Sequence, residues 1–90
     1  PGQGELYEAL DAVLTELKAF VPHSVPFLHR VSKKEVPDYH LVIRHPMDLG
    51  TMHKKLRAFL YRSRADFAAD LQLIYDNCFT YNTAEDSPLR

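Results

Sequence analysis

Four prolines, Pro22, Pro26, Pro37 and Pro46, fall within one stretch of the chain, residues 21–47, between segments patterned as amphipathic helices. Proline lacks the backbone N–H that a helical ladder needs and disfavours helical geometry in the residue before it, so no continuous helix crosses this region. Nor does it read as a solvated linker, since it carries Val25, Phe27, Leu28, Val31, Val36, Tyr39, Leu41, Val42 and Ile43. Loops of this length in compact domains are usually functional or disordered, and apolar content this high argues against disorder. The loop is therefore expected to be partly buried or to line a pocket. Within it, residues 38–43 fit one short helical turn, with Tyr39 and Val42 or Ile43 on its inner side.

The flanking segments supply the helices. Leu6, Leu10, Val13, Leu14 and Leu17 recur at three- and four-residue steps, which predicts a helix over residues 5–20 that stops before Pro22. Asp48 stands where an N-cap is wanted, ahead of Leu49, Met52, Leu56 and Phe59, which predicts a second helix over 48–60. Ser63-Arg-Ala-Asp66 is a weak capping box before Phe67, Leu71, Ile74, Cys78 and Tyr81, which predicts a third over 64–81. Residues 82–90 have the composition of a turn. Ninety residues, 46% of them hydrophobic, are enough for one core and not two, so the expectation is a single all-α domain.

Composition removes several functions. A formal net charge of -1 gives no overall field for nucleic acid or a membrane surface. One cysteine, Cys78, allows neither an internal disulfide nor a Cys-based zinc site, and its place on the third helix's apolar stripe reads as an inert thiol. His23, His29, His40, His45 and His53 show no metal-ligand spacing and read as solvated surface residues. The basic clusters, Lys33-Lys34, His53-Lys54-Lys55 with Arg57, and Arg62 with Arg64, read as solvent-facing rather than as a phosphate stripe. No phosphate loop, nucleophile elbow or carboxylate pair is present, and no segment has a signal-peptide or membrane-span pattern, so an enzyme, a cofactor and a membrane partner are not expected.

Asn82, closing Asn77-Cys-Phe-Thr-Tyr-Asn82, is open to two readings. It could be a C-terminal cap, because asparagine tolerates left-handed backbone. Alternatively, its amide and the neighbouring aromatics could face the apolar proline loop, making a concave pocket with one polar anchor, the usual form of a small-ligand site.

Four strings, Val25-Pro-Phe-Leu28, Glu35-Val-Pro-Asp-Tyr-His40, His45-Pro-Met-Asp-Leu-Gly-Thr-Met52 and Asn77-Cys-Phe-Thr-Tyr-Asn82, in this order and separated by these helices, resemble the bromodomain family over nearly the whole chain. The resemblance implies a left-handed four-helix bundle that binds acetylated lysine, on histone tails or other nuclear proteins, as a module of a chromatin complex. It implies that the Asn82 amide donates to the acetyl carbonyl and that Tyr39 holds a bridging water. Phe27, Val31 and Val36 would form the loop wall, with Tyr81 and Phe79 shaping the other side and Pro88 at the gatekeeper position. Val25 stands where many members have tryptophan and Arg30 where proline is common, which implies a smaller shelf beside the pocket. Nuclear localisation and other subunits of a chromatin complex as partners follow from the same resemblance.

The family's fourth helix would begin where this chain stops, so the expected domain is C-terminally incomplete, with an uncovered strip including Leu6, Leu10, Leu71 and Cys78. A docking domain that keeps the fold without reading acetyl-lysine is the alternative; a nucleic-acid binder would instead show steep salt dependence.

Overall fold

A computed structural model describes residues 2–83 of the chain, with side chains to residue 82. Its elements run α1 (Gln3–Ala19), a single 3-10 turn (Val25–Phe27), α2 (Tyr39–Val42), α3 (Leu49–Arg57) and α4 (Arg64–Thr83), with no strand among the described residues. The helix that the resemblance places after the turn falls outside the described residues, as does Pro88.

Leu10 and Leu14 of α1 meet Leu49, Met52 and Leu56 of α3 and Phe67 of α4 in one core. These are the positions the helical spacing selected, and full burial of such a side chain stabilises by about 1.5–3 kcal/mol. Tyr61, between α3 and α4, is a core residue that periodicity does not select, being only 2% exposed. Its ring packs edge-on to Phe67, and its hydroxyl donates to Asp70 Oδ2 at 2.6 Å. Lys55, expected on the solvent face, donates to the same oxygen at 2.6 Å and lies over the Tyr61 ring. Burial, then the bond to Asp70, pushes the Tyr61 hydroxyl well above the usual phenol range, so it stays a proton donor. Tyr61→Phe should cost about 1 kcal/mol in chemical denaturation, since Asp70 keeps Lys55 as a partner.

The capping expectations resolve differently at each helix. Asp48 caps α3, its Oδ2 accepting from the Thr51 N–H at 2.8 Å and its Oδ1 from the Thr51 hydroxyl at 2.6 Å. Ser63 Oγ accepts from the Asp66 N–H and caps α4, while Asp66 Oδ2 accepts from the N–H of Arg62, one residue before the cap, in place of the reciprocal bond to Ser63. The second helix, expected to reach residue 60, ends at Arg57. Phe59 takes φ 59°, and its N–H donates to the Leu56 carbonyl while Leu60 N–H reaches back to Lys55. This is a Schellman stop with phenylalanine where glycine is usual.

His53 also departs from the surface reading. It is largely buried, with Nδ1 2.7 Å from Lys18 Nζ and Nε2 2.9 Å from Asp11 Oδ1. An ammonium only donates, so Nδ1 accepts and Nε2–H donates, tying α3 to α1.

An apolar groove of about 330 Å³ runs between α1 and α4, lined by Leu17 and Phe20 at one side and Leu71, Ile74, Tyr75 and Cys78 at the other. Of the residues expected in an uncovered strip, Leu71 and Cys78 line this groove. Leu10 does not, being buried in the core, and Leu6 packs against that core. The groove lies along the C-terminal half of α1, where the loop leaves the helix, rather than along its N-terminal half.

Candidate functional site

Three attachments hold the proline loop, one to α3 and two to the C-terminal half of α4. At the first, the Gly50 N–H donates to the Leu28 carbonyl at 3.1 Å, and a Cβ on residue 50 would stand 2.6 Å from that oxygen. Only glycine lets α3 approach the loop backbone this closely. At the second, the buried Asn77 amide donates to the His45 carbonyl at 2.8 Å. At the third, the Tyr81 hydroxyl donates to Asp38 Oδ1 at 2.8 Å, holding the start of α2 against α4. The α2 turn itself is as the spacing predicts, with Ile43 buried and Tyr39 half-buried.

These attachments enclose a cavity of about 300 Å³. Phe27 and Val31 from the loop, Tyr39 from α2, and Tyr81 and Asn82 from α4 all line it, together with Pro26, His29, Met47, Asp48, Ile74 and Cys78. Five of the residues singled out in the sequence thus come together. Val36 lies instead in an adjoining depression that shares Pro26, His29 and Val31 and also holds Val25 and Arg30. Phe79 is 62% exposed and is not among the residues lining the cavity.

Asn82 lies inside α4, which continues to Thr83, so it is not a cap beyond the helix end. From there its Nδ2 donates to Cys78 Sγ at 3.2 Å, one turn earlier. Thiol sulfur is a weak acceptor, so a ligand carbonyl entering the cavity offers this amide a better one. Cys78, on the apolar stripe of α4, is partly rather than fully buried and lines both the cavity and the apolar groove. Burial pushes the Tyr39 hydroxyl above the usual phenol range, with Cys78, Tyr81 and Asp48 adding to the effect. The phenol therefore remains neutral, able both to donate and to accept.

Two physical points separate this cavity from the groove behind it. The groove is lined by Ser24, whose hydroxyl is already donated to the Lys18 carbonyl, and by His23, whose ring packs on Phe20. It has no amide anchor. The cavity has one, and the one carboxylate among its described lining residues, Asp48, accepts from Thr51 at both oxygens.

The sequence pattern of the family described as Bromodomain matches residues 10–90. This chain belongs to the bromodomain family. Over 89 residues the bromodomain is 51% identical to the SAGA complex subunit Spt7 of Schizosaccharomyces pombe, covering 99% of this chain and 9% of that protein. Against the SAGA complex subunit SPT7 of Saccharomyces cerevisiae the figures are 49%, 99% and 7%. The chain therefore spans less than a tenth of these relatives. Transcription initiation factor TFIID subunit 1 of Drosophila melanogaster is 49% identical over 65 residues, 72% of this chain and 3% of that one. Among solved structures, the bromodomain from human BAZ1A superposes with a TM-score of 0.79 at 35% identity, covering 88% of this chain and 73% of that one.

Sequence reasoning missed the residues that position the site. Gly50 had a signal, because glycine is a poor residue for the first turn of a helix unless something approaches it closely. Asn77 had one too, as an amide on the buried face of α4. The bond from Tyr81 to Asp38 spans 43 residues, and no local pattern announces it.

Proposed function

We propose that this bromodomain binds acetylated lysine, on histone tails or other nuclear proteins, as a non-catalytic module of a nuclear transcription-coactivator complex. The observation that carries the reading is the convergence on one apolar cavity of the Asn82 amide and the Tyr39 hydroxyl. Acetylation removes the lysine charge and leaves a neutral amide on an apolar stem. Such a ligand needs one good hydrogen bond and an apolar channel, supplied by Asn82 and by Phe27, Val31 and Ile74. An unmodified ammonium would shed its hydration against Phe27, Val31 and Ile74 at a cost of several kcal/mol, offset only in part by the Asp48 carboxylate, half of whose acceptor sites Thr51 fills. The family relatives in SAGA and TFIID subunits support a chromatin setting and other subunits as partners. No helix among the described residues is long and apolar enough to cross a membrane.

Burying about five carbon groups contributes roughly 4 kcal/mol and a neutral hydrogen bond roughly 1 kcal/mol, before side-chain ordering is subtracted. Affinity for a single mark is therefore weak, and multiple attachments within a complex raise it. Calorimetric titration with matched acetylated and unmodified histone-tail peptides tests the reading: heat of binding is expected only with the acetylated peptide. Equal binding of both, or of neither, would favour a docking domain that does not read the mark. Tyr39→Phe should weaken the acetylated peptide by about three- to tenfold, because it removes only the hydroxyl proposed to hold a bridging water. An unchanged dissociation constant in a folded variant would take Tyr39 out of the site.

A further inference from the structure

The α3–α4 corner combines two features that disfavour the folded chain and that the cavity does not use. Phe59 holds the left-handed backbone that closes α3, where a Cβ is crowded and glycine is usual, yet its side chain is 76% exposed. Leu60 beside it is 59% exposed. The Phe59 ring is not loose. It stacks on Tyr7 at 5.3 Å, and the Tyr7 hydroxyl donates to the Tyr61 carbonyl. A disfavoured backbone conformation that fixes an exposed aromatic in place is the kind of strain that gathers at binding sites.

Arg57, Arg62 and Arg64 bracket these two residues in sequence, are exposed, and form no ion pair among the described residues. Asp66, the acidic residue nearest in sequence, accepts from the Arg62 N–H through Oδ2, while Glu5 and Glu8 are exposed on α1 and flank Tyr7, on which Phe59 stacks. From the fixed Phe59 ring beside exposed Leu60, and from guanidinium groups without an ion pair among the described residues, we infer that this corner is a docking surface for an acidic peptide segment carrying an apolar side chain. Phe59 and Leu60 receive the apolar group, and the planar guanidinium forks receive carboxylates. Nucleic acid fits less well, because the chain's net charge is -1 and an exposed leucine has nothing to offer a phosphate. The corner lies about 27 Å along α4 from Asn82, at 1.5 Å per residue, so both surfaces can be occupied together.

The probe is a short fluorescent peptide of aspartate and glutamate around one phenylalanine, read by anisotropy against the same peptide with alanine in its place. Binding that weakens with salt and requires the peptide's phenylalanine is expected. Phe59→Gly and Arg62→Glu should each weaken it by about tenfold or more, as for an anchor residue at an interface. Neither should alter acetyl-lysine affinity. Phe59→Gly keeps the fold because glycine takes this backbone freely, and Arg62→Glu changes an exposed side chain, so the two losses are independent. No binding of the acidic peptide, full binding to Phe59→Gly, or preferential binding of duplex DNA that depends on Arg62 and not Phe59 would overturn the inference.

Discussion

Replacing Asn82 by alanine is expected to remove acetyl-lysine binding while leaving thermal unfolding nearly unchanged. The side chain is exposed, lies within α4 and makes one weak bond among the described residues, to Cys78 Sγ, so its removal takes nothing from the described core. Alanine is also the better helix former. The bound state is different, because the acetyl carbonyl would then be buried against Phe27 and Ile74 with its direct donor gone. Losing the bond and stranding the acceptor together cost about 2–3 kcal/mol, or about 30- to 150-fold in affinity. For a ligand held this weakly, that places binding beyond ordinary titration. Calorimetry with an acetylated peptide, alongside a melting curve of the variant, separates the two effects. Retained affinity would show that Asn82 only lines the cavity, and a collapsed melting curve would show that it supports the helix.

Gly50→Ala should damage both fold and site, because it acts on the attachment that sets the loop. The added methyl would stand 2.6 Å from the Leu28 carbonyl oxygen and 3.1 Å from Asp48 Oδ2. The first neighbour is backbone, so relief requires the loop to move away from α3 and give up the Gly50 N–H bond to Leu28. Overpacking of this kind costs about 1–3 kcal/mol, which in a domain of this size lowers Tm by about 4–24 °C. Because residues 28–31 carry Val31 into the cavity wall, peptide affinity should fall with it, by an amount measured on the folded fraction at low temperature. A variant that melts and binds as the parent would show that the loop does not depend on this contact.

The contrast between Asn82 and Gly50 also shows what was legible in the sequence. Periodic apolar residues placed α1 and α4, and Asp48 and Ser63 marked two helix starts, because capping and amphipathic spacing are local properties. The end of α3 was not legible, since the position that stops it holds Phe59 rather than glycine and the apolar pattern runs on. Tyr61 sits in a non-helical link where no periodicity reports burial. The local context of Asn82 left a cap and a pocket amide both open, and the family resemblance favoured the second reading. The cavity's composition was legible in part, because the proline loop's apolar content required a buried face. Which of its residues face the cavity, Val31 and Phe27 rather than Val36, depends on attachments at Gly50, Asn77 and Tyr81 that join distant parts of the chain.

The central claim, that this cavity recognises the acetyl group through Asn82, is tested most directly by two-dimensional NMR of the labelled domain during titration with Nε-acetyllysine and, separately, with lysine. The account predicts that acetyllysine moves the Asn82 side-chain amide signals together with those of Tyr39, Val31 and Ile74, and that lysine moves none of them. Shifts confined to the groove of Leu17, Phe20 and Tyr75, or identical shifts with both compounds, would contradict it.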